Sequence, residues 1–329
     1  MGIYMNDNNY TGFRYESGAY GTSGAGGLQW PGAVTDNEIA ENENFTQLRY
    51  QGTGTRNVDK QVEGAIDITG TMNYHPQDWK MLAFALGSNV DSGSPAPSLH
   101  AMREIPSNEG NYATSGIIFN SFQIEDAKIG SAGTNFIRTV KGCMVDKFEI
   151  TAAQGDIVEA TVEYIGQLPT FTSGGESSIT EAGSRPFIFS DLTLSLPQGT
   201  AQDTLKDITF GLSNNLDPGH YLDGNRYIAY PNVGNRDYNL DLTLDMTYAE
   251  ALTMYGLYKS GTTMNGTITI ADPGAGTGSR DCAIFMSGCK ILEMPIPGEA
   301  EGVQEYSLTV QPESCSADIT DGILKYNAW

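Results

Sequence analysis

The chain has little of what most chemistry needs. Its three histidines, His75, His100 and His220, lie far apart, and none sits in H-x-x-x-H or H-E-x-x-H spacing. Its four cysteines, Cys143, Cys282, Cys289 and Cys315, contain no C-x-x-C pair, which argues against a zinc site. They read instead as buried thiols filling small apolar positions. Cys282 and Cys289 are seven apart, so on one regular strand they would face opposite sides. Carboxylates are plentiful, but no pair stands out as an acid/base couple. The Gly-rich strings at 21–27 and 274–279 are not followed by Lys-Ser/Thr and do not open a helix, so they are turns rather than phosphate loops. Nothing calls for a cofactor or a metal, and an enzyme reading has no motif behind it.

Basic residues are scarce. Eighteen Lys and Arg face 40 Asp and Glu, a net charge of −22. That excludes a basic groove gripping nucleic acid. It does not exclude nucleic acid passing by without sticking, and it also suits high solubility or a saline habitat. No apolar run approaches membrane-spanning length. Met1–Tyr10 has neither a basic start nor an apolar stretch, so no secretory signal is expected there.

What is present is repetition. Asp67-Ile68-Thr69-Gly70-Thr71-Met72-Asn73-Tyr74 returns as Asp241-Leu242-Thr243-Leu244-Asp245-Met246-Thr247-Tyr248. Gly142-Cys143 returns as Gly288-Cys289, and Glu159-Ala160-Thr161-Val162 as Glu305-Tyr306-Ser307-Leu308 at the same offset. These segments alternate with period two, the strand signature of a sheet with one dry and one wet face. Ile68, Met72 and Tyr74 oppose Glu63, Asp67, Thr69 and Thr71. Leu240, Leu242 and Leu244 oppose Asp241, Thr243 and Asp245. Ala160, Val162 and Tyr164 oppose Glu159, Thr161 and Glu163, and Tyr306, Leu308 and Val310 oppose Glu305, Ser307 and Thr309.

A helical pattern follows the first strand of each repeat. Pro76–Leu86 stops at Gly87, and Ala249–Tyr258 stops near Gly261, with Gly just past each end. Trp79, Leu82, Phe84 and Leu86 are expected in the core, as are Leu252, Met254, Tyr255 and Leu257. The chain therefore divides into an N-terminal arm (1–27), a first β domain (28–168), a Gly/Ser/Thr-rich linker (169–184), a second β domain (185–318) and a C-terminal segment (319–329). The fold class is mainly β, with one short helix per repeat.

The second repeat resembles the tail tube protein of long-tailed viruses of bacteria and archaea. The resemblance rests on Ser190–Leu196, on Asp207–Ser213 followed by Asn214-Asn215-Leu216, on Gly224-Asn225-Arg226 and on the strand from Leu240 to Tyr248. Gly54-Thr55-Arg56-Asn57, Val62–Asp67, Tyr74–Asp78 and Ile157–Gly166 carry it in the first repeat.

The resemblance implies two tandem β-sandwich or barrel-like domains that assemble into rings with a continuous inner β-barrel, the rings stacking into a hollow virion tail. Three chains would make a ring of pseudo-sixfold symmetry. About four strands per domain and ~24 per ring, at ~4.8 Å spacing and ~40° tilt, close a cylinder roughly 45 to 50 Å across. Such a bore passes a DNA duplex. The implied partners are further copies of the chain, tail terminator, tape-measure and baseplate proteins, and double-stranded DNA held transiently without specific binding; no membrane is involved. The lumen would be lined by Glu63, Asp67, Thr69, Thr71, Glu159, Thr161, Glu163, Asp241, Thr243, Asp245, Glu305, Ser307 and Thr309. The arm, the loop 89–111, the linker near Gly174 and Tyr326–Trp329 are expected at subunit contacts. Two other readings share the acidity and the lack of catalysis: a secreted or cell-surface adhesin-like β protein, and another virion ring such as a tail terminator or baseplate hub.

Overall fold

Alternation decides nearly every element. In the computed structural model, which describes residues 9–16, 20–50, 57–58, 60–92, 98–104, 121–130, 135–174, 177–179, 184–272, 280–296 and 304–321, the segments of period two are strands. The first half holds β1 (Tyr10–Glu16), β2 (Gly24–Gln29), β3 (Gly32–Asn42), β4 (Thr46–Leu48), β5 (Lys60–Val62), β6 (Asp67–Pro76), α1 (Lys80–Leu86), β7 (Gly87–Ser92), β8 (Ser98–Glu104), β9 (Phe122–Lys128), β10 (Phe136–Ala153), β11 (Glu159–Gly166) and β12 (Leu168–Thr172). The second holds β13 (Leu192–Ser195), β14 (Leu205–Ser213), β15 (Asp217–Gly219), β16 (Tyr230–Asn232), β17 (Asp237–Asp245), α2 (Tyr248–Ser260), β18 (Met264–Ile270), β19 (Asp281–Glu293), β20 (Glu305–Gln311) and β21 (Ser314–Asp321).

The main sheet is antiparallel throughout, in the order β3-β6-β11-β10-β14-β17-β20-β19. Four strands come from each half. A second sheet runs β2-β1-β9-β10-β12, and a third runs β13-β18-β19-β21-β8-β7. Strands β10 and β19 each belong to two sheets. They change sheet at Gly142 and Gly288, whose φ values are +65° and +64°. A left-handed residue at a bulge is a glycine position, which is why the Gly-Cys pair recurs. The bulge at Gly288 also resets the alternation, so Cys282 and Cys289 are both fully buried rather than on opposite sides.

The two halves match in detail. An extra residue is inserted between Val34 and Asp36 and again between Leu205 and Asp207, and likewise between Val145 and Lys147 and between Ile291 and Glu293. Asn44 and Asn215 are the two non-glycine residues with positive φ among the described residues. Asn44 Nδ2 donates to Asp67 Oδ2 at 2.7 Å and Asn215 Nδ2 to Asp237 Oδ2 at 2.7 Å. Paired this way, Asp67 corresponds to Asp237 and Met72 to Leu242. The Asp-x-Thr identity that set Asp67 against Asp241 is thus four residues out of register. An even slip keeps every side chain on its face, so the wet and dry assignments survive it.

The dry face of the main sheet carries the core: Met72 and Tyr74, Val162 and Tyr164, Phe148 and Ile150, Phe210, Leu240 and Leu242, Leu308 and Val310. Helix α1 is buried along its whole length, and Trp79 before it stacks on Phe187 at 5.2 Å. Helix α2 differs from expectation. Thr247 caps it in a box with Glu250, Gly261 ends it, and only Ala251 and Met254 are buried. Leu252 is 57% exposed, and Tyr255 and Leu257 are half-buried. Strands β7 and β8 of the 28–168 block join the third sheet, where β8 pairs with β21. Over β1 and β2 the arm is extended and paired, with Phe13 fully buried. Gly54-Thr55-Arg56, residues 105–111, the string 274–279 and Tyr326–Trp329 lie outside the described residues.

Candidate functional site

The feature that spans both halves is the wet face of the main sheet. Along β6, β10 from Lys147 on, β11, β14, β17 and β20, buried residues alternate with less buried ones, and most of the latter are polar. Asp67, Thr69 and Thr71 on β6, Glu159, Thr161 and Glu163 on β11, Asp241, Thr243 and Asp245 on β17, and Glu305, Ser307 and Thr309 on β20 all share this face. The registers join them into rows. One runs Glu159, Thr151, Thr209, Asp241, Thr309 from β11 to β20, crossing from the first half to the second without a break.

Glu63 is not part of this face. It precedes β6 in an irregular stretch, is exposed, and pairs with Arg226 Nη1 at 2.6 Å. Gly64 and Ala65 interrupt the alternation that would have carried it onto the sheet. The face also contains residues that the repeat search passed over, Glu149 and Thr151 on β10 and Asp207 and Thr209 on β14. The strings Phe148-Glu149-Ile150-Thr151 and Asp207-Ile208-Thr209-Phe210 carry the same alternation and are the signal for them.

Short polar contacts hold these side chains in place. Thr161 Oγ1 donates to Asn73 Oδ1 at 2.8 Å, and Thr309 Oγ1 to Asp241 Oδ1 at 2.7 Å. Lys147 Nζ lies 3.1 Å from Glu163, and Lys206 Nζ bridges Asp245 at 3.0 Å and Glu305. The hydrogen bonds that Lys206 donates to Glu305 and Asp245 raise its pKa, so it stays a cation. Both ammonium groups are thus engaged by carboxylates, and the face keeps a negative excess. His220 Nε2 sits 2.7 Å from Asp67 Oδ1 at the margin.

The two ends of this sheet are open. Among the described residues, β3 pairs only with β6, and residues 290–293 of β19 pair only with β20. Open edges are templates for further strands. Among the described residues, no group of three or more His, Cys, Asp or Glu is placed to hold a metal, and no helix is long and apolar enough to cross a membrane. All four cysteines are free and buried. Burial pushes the Cys143 thiol well above its usual range, as it does those of Cys282 and Cys315, so they are poor nucleophiles.

A family model described as phage tail tube protein matches residues 9–312. No curated protein matches the chain.

Proposed function

The chain belongs to the phage tail tube protein family, and from that membership we propose that three copies close a ring of pseudo-sixfold symmetry whose bore carries viral DNA during ejection. The location is the virion tail, and the role is structural self-assembly into a tube. In this reading the two halves are copies of one tube domain, joined by duplication. The matched bulges and the paired Asn44–Asp67 and Asn215–Asp237 contacts support that descent.

One observation carries the proposal: the polar face continues unbroken across both halves of a sheet whose two edges are unpaired among the described residues. Three such sheets joined edge to edge supply ~24 strands, enough for a cylinder roughly 45 to 50 Å across. The polar residues of the wet face then line the lumen, those of β10 and β14 included. A duplex carries one negative charge per ~1.7 Å of axis, and basic contacts would hold it. Carboxylates and hydroxyls do not, so the duplex slides. Tail terminator, tape-measure and baseplate proteins would meet the tube at its ends and inside it, and catalysis has no part.

Negative-stain electron microscopy of the tag-free protein at several salt concentrations tests this. Rings or hollow tubes with threefold-related subunits support it. Monomers under every condition, including with tail initiation proteins supplied, count against it.

A further inference from the structure

The seam inside the chain has counterparts at the two edges of the main sheet, which are unpaired among the described residues. At the centre of the main sheet β10 pairs with β14 from Lys147 opposite Ser213 to Ala153 opposite Asp207, with Ile150 facing Phe210. Just past β14, Leu216 is buried against Met144 and Ile165. The bulge residue Asp146 fastens this corner. Its carbonyl accepts from Asn214 N at 2.7 Å and its carboxylate from Leu216 N at 2.7 Å.

The matched registers put β3 in the place of β14 and β19 in the place of β10. Ser213 corresponds to Asn42 and Phe210 to Ile39, while Lys147 corresponds to Glu293 and Ile150 to Ile296. The counterpart of Leu216 is Phe45, because it follows Asn44 as Leu216 follows Asn215. The counterpart of Asp146 is Leu292. Positions that are covered at the internal seam are bare at the ends: Phe45 is 55% exposed, Leu292 45% and Ile296 65%. The exchange is also complementary. Where the internal seam sets Leu216 beside a carboxylate, the ends offer two apolar side chains, Phe45 and Leu292.

We propose that the β19 edge of one copy pairs with β3 of the next, Glu293 opposite Asn42 and Ile296 opposite Ile39, with Phe45 of that next copy covering Leu292. The occupant is a second copy of this chain, and the contact is head-to-tail, the kind that closes rings. This deepens the ring reading above and rests on it. The closing seam is the weaker of the two. Pro295 lacks an N–H and cannot donate to a ladder, whereas the internal seam pairs seven residues of β10 without a proline. Closure therefore depends on the apolar cover from Phe45.

The test is a disulfide between Asn42→Cys and Glu293→Cys. Within one chain these positions lie seven strand spacings apart, ~34 Å, far beyond the ~7 Å Cα reach of a disulfide. Any such bond joins two copies, and the four native thiols are buried. Oxidised assemblies are run on a non-reducing denaturing gel and the linked peptide is identified by mass spectrometry. The expected result is a ladder ending at a closed covalent ring, and no ladder with Asn42→Cys paired to Lys290→Cys. Tubes that form without the 42–293 link overturn the seam and leave the tube reading standing. A wild-type chain that forms neither rings nor tubes overturns the tube reading itself. Phe45→Asp supplies a second readout: melting of the single chain is unchanged and assembly is lost. Assembly at the wild-type concentration would overturn the role of Phe45.

Discussion

The buried carboxylate of Glu16 accepts a hydrogen bond from the backbone N–H of Gly142, 2.6 Å away, at the point where β10 bends from one sheet into the other. The same carboxylate takes Gly21 N at 2.8 Å and Ser121 Oγ at 2.5 Å. One side chain of the arm thus satisfies three donors that the bend would otherwise leave without partners. Glu16→Ala is expected to destabilise the chain by about 3 kcal/mol in urea unfolding, since buried donors lose their acceptor. A loss below about 0.5 kcal/mol would mean that water replaces the carboxylate.

Gly142 and Gly288 occupy equivalent bends, yet alanine should not cost the same at each. Both pay about 1 kcal/mol for the left-handed backbone. At Gly142 the new Cβ would stand 2.7 Å from Gln167 Cβ and 2.9 Å from the Tyr20 ring, neither free to retreat. At Gly288 it would meet the end of the Glu313 side chain, which can swing away. Gly142→Ala should therefore lose about 3 kcal/mol and Gly288→Ala about 1 kcal/mol, read from paired thermal melts. Equal losses would remove the steric part of this account.

Much of the wet face was legible because alternation is local: Thr69, Thr161, Asp241 and Ser307 announce their side by their neighbours. Glu63 was misplaced because Gly64 and Ala65 break the period between it and β6. Leu252 on α2 looked like core because helical spacing shows an apolar stripe but not what covers it. The attachment of β8 to β21 and the seam of β10 with β14 were not legible at all. Pairing between distant strands leaves no trace in a single sequence beyond the alternation that each strand already shows.

The charge of the wet face is separable from the fold. Thr161, Thr209 and Thr309 sit in the middle of the sheet and are half-buried. Replacing all three with Lys should leave tubes intact, each change costing about 0.5 kcal/mol or less beyond the lost threonine hydrogen bonds. DNA ejection should slow, and the slowing should fade as salt rises, because each phosphate contact carries its own salt dependence. Ejection at the wild-type rate at low salt would remove the lumen assignment.

His100 couples the two halves to pH. It is fully buried on β8, with Nδ1 2.6 Å from Asp91 of β7 and Nε2 3.0 Å from Asp321 of β21. Asp78, paired with Lys80 at 2.6 Å, and the Tyr15 hydroxyl lie close by. Burial alone would lower the His100 pKa, but the hydrogen bonds and charges of Asp321 and Asp91 outweigh it and raise it above the usual value. A raised histidine pKa means the folded state binds the proton more tightly than the unfolded one. The stabilisation is therefore complete below about pH 6.5, the unfolded value, and is lost as pH rises through the folded one. His100→Gln leaves two carboxylates without their cation and should cost about 3 kcal/mol at pH 5.5. The gap between wild type and variant should narrow as melts are repeated toward pH 9. A gap that is constant with pH would show that His100 holds β8 on β21 as a neutral hydrogen-bonding ring and not as a cation.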